Sequence, residues 1–449
     1  RMTVILFMLG YGLVTIPSVL YAGSIAVIKL FDIPALLNLS YSVSLVMTIV
    51  VIGLLGSSYA ILGGLRAVAV SDTLNGVGLL LVGVAVPYLG LQVLGEGSVG
   101  QGWNTVLTAE THKLNAIGGP SDPTPFATLF TGMILANLFY WCTNQYVIQR
   151  TLAARSLAEG QKGVLLSGFF KVLVPLLMMI PGVIAYHLYG PELHPIDLAY
   201  PQLVRDVLPV YATGFFLAVL LGAVLSSFNS LINSAATLFC IDVYQPWVGR
   251  PVTDEALLRT AKRVGLTITA FSLIVAPLLQ FAPDGLWQLI RIFTGFYNIP
   301  MIAIVIVGLF TQRVPASAAK LVIVFHILAY GLFQFLFKEL LPIHFLHLYA
   351  ILFVIEVIMM LVMGLWRPRL SPAPLPLEAM VDLTPWAYGK PCAVTLLSCV
   401  VALYVTFSPM GLVAGGSIYF GDILLSLAAL NALLWLWWYR RLHREPEAH

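Results

Sequence analysis

The run from Asn137 to Arg155 concentrates the side chains best suited to holding a polar ring. Asn137, Thr143, Asn144, Gln145 and Gln149 crowd the end of a hydrophobic segment that starts near Phe126. Amides at membrane depth are costly unless they face protein or a watery cavity. Tyr140 and Trp141 set flat aromatic faces beside them. A polyol has an apolar ring face and a polar rim, and this pairing of groups matches both. An interfacial aromatic belt followed by a basic loop accounts for the same residues.

Other positions carry groups that could bind. Ser226 and Ser227, with the carbonyl of Ala223, offer three oxygens of the kind a hard cation prefers. Ala223 and Ser227 are four apart and share a helix face. Close helix packing through small residues explains them equally. Asp72 opens an apolar span, as an N-cap or first-turn acid would. Lys171 lies one turn before Pro175 inside another span. Its ammonium needs a partner, a watery cavity, or a reach to the basic end at Lys162. Arg291 brings a permanently charged fork into a third span, where it pairs with an internal acid or faces a cavity. Glu356 is mid-span and is expected to pack against another helix, protonated or paired with a polar neighbour. His326, His344 and His347 form no metal set. No Walker loop, HExxH or Gly-x-Ser-x-Gly occurs, so nothing points to an enzyme.

The elements that position these residues must be membrane helices. The 449 residues are 59% hydrophobic and 10% charged, against about 25% charged in soluble domains. Apolar stretches of about 20 residues fall near 3–28, 42–62, 70–94, 126–149, 163–189, 212–241, 264–282, 286–310, 318–337, 345–366, 391–408 and 420–438. That makes about twelve spans. With Arg1 cytoplasmic, seventeen of the 23 Lys and Arg fall on its side and four opposite, with Lys171 and Arg291 inside spans. This bias supports the count and the orientation together. Loop 95–125 is then external, and 190–211, with Pro191, Pro195 and Pro201, is an external lid. A transport bundle over 1–366 is followed by a Pro-rich cytoplasmic linker, 367–389, then peripheral helices and a basic tail, 390–449. Cys142, Cys240, Cys392 and Cys399 have no metal-ligand spacing and read as apolar thiols. The chain opens inside an apolar stretch with no signal peptide, as a chain lacking its own start would. Its charge gives no sign of a nucleic-acid partner; its partners are the lipid bilayer and a small solute.

The run Tyr140-Trp141-x-x-Asn144-Gln145-x-x-x-Gln149-Arg150 resembles that of the sodium/sugar cotransporter branch of the sodium:solute symporter family. So do Gly63-Gly64-Leu65-Arg66-Ala67-Val68 with Asp72, Gln161-Lys162-Gly163 to Pro175, Pro181-Gly182, Leu225-Ser226-Ser227, Asn233 to Phe239 and Asp242-Val243-Tyr244. They occur in family order across roughly Val14 to Trp366. The resemblance implies an all-α, LeuT-type bundle of two inverted repeats around a midplane site. The second repeat matches 126–310, and the first lacks its first two helices. It implies symport of a sugar or sugar-like polyol with sodium ion across the plasma membrane. Asn137, Tyr140, Trp141 and Lys171 would bind the substrate. Ala223, Ser226 and Ser227 would bind sodium, with Asp72 near its exit. Arg291 stands where relatives carry a sugar-binding Gln, and Thr15 replaces an Asn. An Arg in the cavity would suit an acidic sugar. Symport of inositol or an organic acid, and a non-transporting membrane protein, are the alternatives. The helix over 126–150 is expected to break close to Asn137–Tyr140.

Overall fold

The computed structural model describes residues 2–249, 251–281, 285–341, 343–369 and 381–443, without the side chains of 59–69 and 414. The Gly63–Val68 motif and most of the Pro-rich linker therefore lie outside the described side chains or residues. Among those described, eleven segments are long and apolar enough to cross a membrane, and none belongs to a strand. They are α1 (Met2–Phe31), two lengths of α2 (Tyr41–Leu94), and later helices named below.

The chain continues with α3 (Gly132–Cys142), α4 (Gln145–Leu152), α5 (Leu157–Tyr189), α6 (Ala199–Val207), α7 (Val210–Val248) and α8 (Asp254–Phe281). It ends with α9 (Gly285–Phe310), α10 (Ala316–Phe335), α11 (Phe345–Trp366), α12 (Gly389–Thr406) and α13 (Phe420–Leu442). Local chemistry sets several starts. Ser156 Oγ accepts from Glu159 N at the head of α5, and Thr253 Oγ1 accepts from Ala256 N at the head of α8. Acids at Glu159, Asp254 and Glu255 sit in those first turns, where the helix dipole favours them. Gly249 ends α7 at φ 66°, a left-handed geometry that glycine adopts without a Cβ clash.

The apolar faces meet in layers. Ile16, Leu20, Ile49, Phe228 and Leu231 join α1, α2 and α7. Val86, Ile184, Leu203 and Phe216 join α2, α5, α6 and α7. Ile299, Tyr330, Phe345 and Tyr349 pack α9 against α10 and α11. Both lengths of α2 meet α7, at points about two and a half turns apart: a Cβ on Gly56 would strike Phe228, and one on Gly78 would strike Val219. In α13, by contrast, no residue is buried, so it rides outside the bundle on α12.

Two expectations need correction. Residues 126–149 form no single span. They divide into a 3-10 turn (Phe126–Phe130), α3 and α4. The interruption falls at Thr143–Asn144, and Asn137–Tyr140 are regular helix. The Phe139 carbonyl accepts from Thr143 N, Asn144 N and Thr143 Oγ1, which closes α3. Asn144, 2% exposed, then begins α4 with its backbone while its side chain is used elsewhere.

Candidate functional site

The break in the third helix brings three elements together. Tyr11, in a π-helical turn of α1, donates its hydroxyl to Asn144 Oδ1 at 2.5 Å. Tyr11 also meets the Tyr146 ring edge-on at 5.9 Å, and the Tyr140 and Tyr146 hydroxyls are hydrogen-bonded. Phe7 stacks on Phe139 at 5.5 Å, and Phe139 meets Tyr297 of α9 at 5.8 Å. Thr15 Oγ1 lies 3.4 Å from Tyr297 Oη, so this position is tied into the aromatic cluster. Rings packed so closely, with polar tips paired, make the break a rigid joint.

Lys171 and Trp141 form the next layer. The Lys171 ammonium sits 3.8 Å from the centre of the Trp141 ring, a cation–π contact that holds it in place. Lys171 borders three cavities at once. One, of about 970 Å³, also has Asn137, Thr124 and Tyr404 in its wall. Asn137 Nδ2 donates to the Met133 carbonyl at 2.9 Å, which leaves its oxygen able to accept. Tyr140 and Trp141 are 36% and 42% exposed, and Trp141 lines a separate cavity of about 660 Å³ together with Lys171 and Arg150. Cys142, at the end of α3, is an exposed free thiol.

A second cluster gathers oxygens. Ser226 Oγ donates to Asp72 Oδ1, and Arg150 Nη2 pairs with Asp72 Oδ2 at 2.5 Å. The same Nη2 reaches Ser230 Oγ at 2.8 Å, and Ser230 Oγ donates to the Ser226 carbonyl at 2.9 Å. Carboxylate, hydroxyl and carbonyl oxygens are the donor set of a hard cation, and here a guanidinium neutralises them. Ala223 and Ser227 lie on the adjoining, more open face of α7, and Ser227 is exposed. The structure thus joins Asp72 to Ser226 directly and sets Ala223 and Ser227 beside them. Arg150 and Ser230 were not singled out as ligands from sequence. The Gln149-Arg150 pair ending the aromatic run was the available signal.

Arg291 takes a different place from the one expected of a cavity-facing cation. It is 8% exposed, and its Nη1 donates to Thr124 Oγ1 at 2.8 Å, the Pro123 carbonyl at 3.3 Å and Gln288 Oε1 at 3.4 Å. Its Nη1 is bonded to a loop rather than to an acid, beside the cavity that Thr124 lines, while Nη2 lies 4.0 Å from Met133 Sδ and the buried Nε has no hydrogen-bond partner among the described residues. His344, just before α11, has its ring pushed down from its ordinary 6.5 to about 4 by burial first, then by the positive Arg291 and the neighbouring His347. Glu356 is paired with a polar neighbour, His326.

Among the described residues there is no group of three or more His, Cys, Asp or Glu fit for a transition metal. The sodium:solute symporter family model matches residues 9–323. The chain is 42% identical over 405 residues to the uncharacterized symporter YidK of Escherichia coli, covering 90% of this chain and 70% of that protein. It is 31% identical to the sodium/glucose cotransporter of Vibrio parahaemolyticus, covering 78% of this chain and 66% of that one. It is 27% identical to sodium/glucose cotransporter 1 of Ovis aries, covering 79% and 60%. The chain thus spans between about three fifths and seven tenths of these relatives' lengths. A solved structure of a Na+-coupled sialic acid symporter, substrate-bound and outward-open, superposes with a TM-score of 0.67 at 20% identity, covering 82% of this chain and 74% of that one. The fold is therefore the LeuT-type helical bundle.

Proposed function

The chain belongs to the sodium:solute symporter family, and from that premise we propose that it draws a sugar or sugar-like polyol across the plasma membrane with inward-moving sodium. The observation that carries this reading is the wall of the 970 Å³ cavity, which Asn137 and Lys171 both line, with the Lys171 ammonium seated on the neighbouring Trp141 ring. An ammonium and an amide give a hydroxylated ring its donors and acceptor, and the indole holds the ammonium in place. Similarity to sodium/glucose cotransporters from a bacterium and a mammal supports the same substrate class.

In this reading Tyr140 closes the inner side of the pocket and Trp141 backs it. Asn137 and Lys171 bond substrate hydroxyls. Sodium is held by oxygens from Ser226, Ser227 and Ala223, with Asp72 receiving it on its way out. Sodium arrival competes with Arg150 for the Asp72 carboxylate, so the guanidinium must shift when the ion passes. Arg291 fixes the loop that borders the pocket and does not touch the solute. A neutral solute fits this arrangement, because Asn137 and Lys171 line the cavity while Arg291 is only 8% exposed and its Nη1 is bonded to the loop.

The test is uptake into proteoliposomes of the purified protein. Labelled glucose, galactose and myo-inositol would each be offered with and without an inward sodium gradient. The reading expects sodium-driven uptake of at least one, competed by the others in a graded order. No sodium-dependent uptake of any neutral polyol, with uptake of a carboxylated solute instead, would overturn it.

A further inference from the structure

Glu356 of α11 and His326 of α10 face each other with side chains wholly buried. His326 Nδ1 lies 2.5 Å from Glu356 Oε1, and His326 Nε2 lies 3.0 Å from the Gly295 carbonyl of α9. A carbonyl can only accept, so Nε2 carries a proton. One more proton is then shared between Nδ1 and Oε1. Whether drawn as imidazolium with carboxylate or imidazole with carboxylic acid, the pair has the same proton count and no net charge. Glu356 Oε2 is buried and has no hydrogen-bond partner among the described residues. An ionisable pair inside a membrane span is expensive and marks a functional position by default.

The surroundings offer nothing to balance a change in that count. From α10, Tyr330 stacks on His326 at 5.6 Å and donates to the Ile292 carbonyl at 2.9 Å. From α11, Tyr349 donates to the Arg291 carbonyl at 2.5 Å. From α9, Arg291 turns its guanidinium to Thr124, and Tyr297 packs with Phe139. From α3, which also packs on α9 and α11, the titratable groups are Tyr140 and Cys142; Tyr140 is tied to Tyr146, and Cys142 is exposed. His326, Tyr330 and Tyr349 thus grip three carbonyls between Arg291 and Gly295, one of them through the shared-proton pair.

We propose that His326 and Glu356 form a proton-binding site that sets how tightly α10 and α11 hold α9. With one shared proton the pair is neutral and its bond to Gly295 stands. Removing that proton leaves a buried negative charge. Adding a second leaves a positive charge and puts an O–H on Oε2 with no acceptor. Either change costs a buried uncompensated charge and loosens the grip, so the bundle responds to pH at this point.

Hydrogen–deuterium exchange of the α9 backbone, corrected for intrinsic rate, tests this in the whole protein in detergent without any solute. The outcome is thus independent of what the protein carries. Protection of residues 291–299 would be followed between about pH 5 and pH 8. Glu356→Gln keeps a donor for Nδ1 but removes the titrating acid. Wild type should lose protection several-fold at one end of the range, and Glu356→Gln should give a flat profile. Superimposable profiles for the two proteins would overturn the proposal. If Glu356→Gln does not fold, the infrared C=O band of a buried carboxylic acid decides in wild type alone. A band that grows or fades across the range supports the site, and an unchanging band refutes it.

Discussion

The hydroxyl of Tyr11 and the side-chain oxygen of Asn144 meet at 2.5 Å although 133 residues separate them. This bond takes the side chain that would otherwise cap α4, and it anchors the broken helix to α1 at the point where the chain changes direction. Tyr11→Phe removes the donor and leaves a buried carboxamide oxygen unpaired, at a cost of about 1–3 kcal/mol. Thermal unfolding in detergent should show a lowered midpoint. A midpoint equal to wild type would mean that the joint draws its rigidity from ring packing alone.

The Asp72–Ser226 contact makes Ser226→Ala the more damaging of the two serine changes. A hydrogen bond to a charged group is worth about 1.5–3 kcal/mol, so half-saturating sodium should rise about tenfold or more. Ser227→Ala, on the open face, should raise it less. Unchanged sodium dependence in both variants would place the ion elsewhere.

Lys171→Ala removes a donor to the solute and its contact with Trp141. Substrate affinity should fall by about 1.5–3 kcal/mol, measured by binding of labelled sugar. Tyr140→Ala should be severe and Tyr140→Phe mild, because phenylalanine keeps the ring and loses only the bond to Tyr146. Equal effects of the two changes would show that the hydroxyl pair, not the plane, matters.

Arg291→Gln should leave the preference between neutral and acidic sugars as it is, since the guanidinium is bonded to Pro123 and Thr124. What should change is the loop. Exchange of backbone amides over residues 118–126 should quicken, by about tenfold for a loss of about 1.5 kcal/mol. A swing toward neutral sugars with an unaltered loop would put Arg291 against the solute.

His344 gives a pH dependence with a definite sign. Its folded value, near 4, is below its ordinary 6.5, so the unfolded chain binds more protons between the two. Stability contributed here is complete above 6.5 and drains away as pH falls toward 4. The unfolding midpoint of wild type should therefore fall over that window more than that of His344→Gln. Parallel curves would remove His344 from the acid response.

Most of the membrane spans could be read from length and apolarity alone, because a hydrocarbon layer fixes both. The polar density after Phe126 announced an interruption but not its position. At that position Asn144 is held by Tyr11, and no local pattern reports a partner 133 residues away. Arg291 shows the same limit. A charge in a span demands a partner, but sequence cannot say that the partner is a loop carbonyl and hydroxyl 167 or 168 residues earlier. The expected polar neighbour of Glu356 exists, and its identity as His326 rests on how two helices happen to face. Ser226 and Ser227 look alike in sequence, yet a 100° step around the helix buries one and exposes the other.

The exposed thiol of Cys142 closes α3 one residue before the break, next to the ring on which Lys171 rests. The protein therefore carries its own reporter. Cys240 is buried, and Cys392 and Cys399 lie half-covered on α12. A maleimide dye should mark Cys142 ahead of the other three, without any engineered attachment point. Its emission would then register changes in the surroundings of Trp141 and Lys171 as ions and solute come and go.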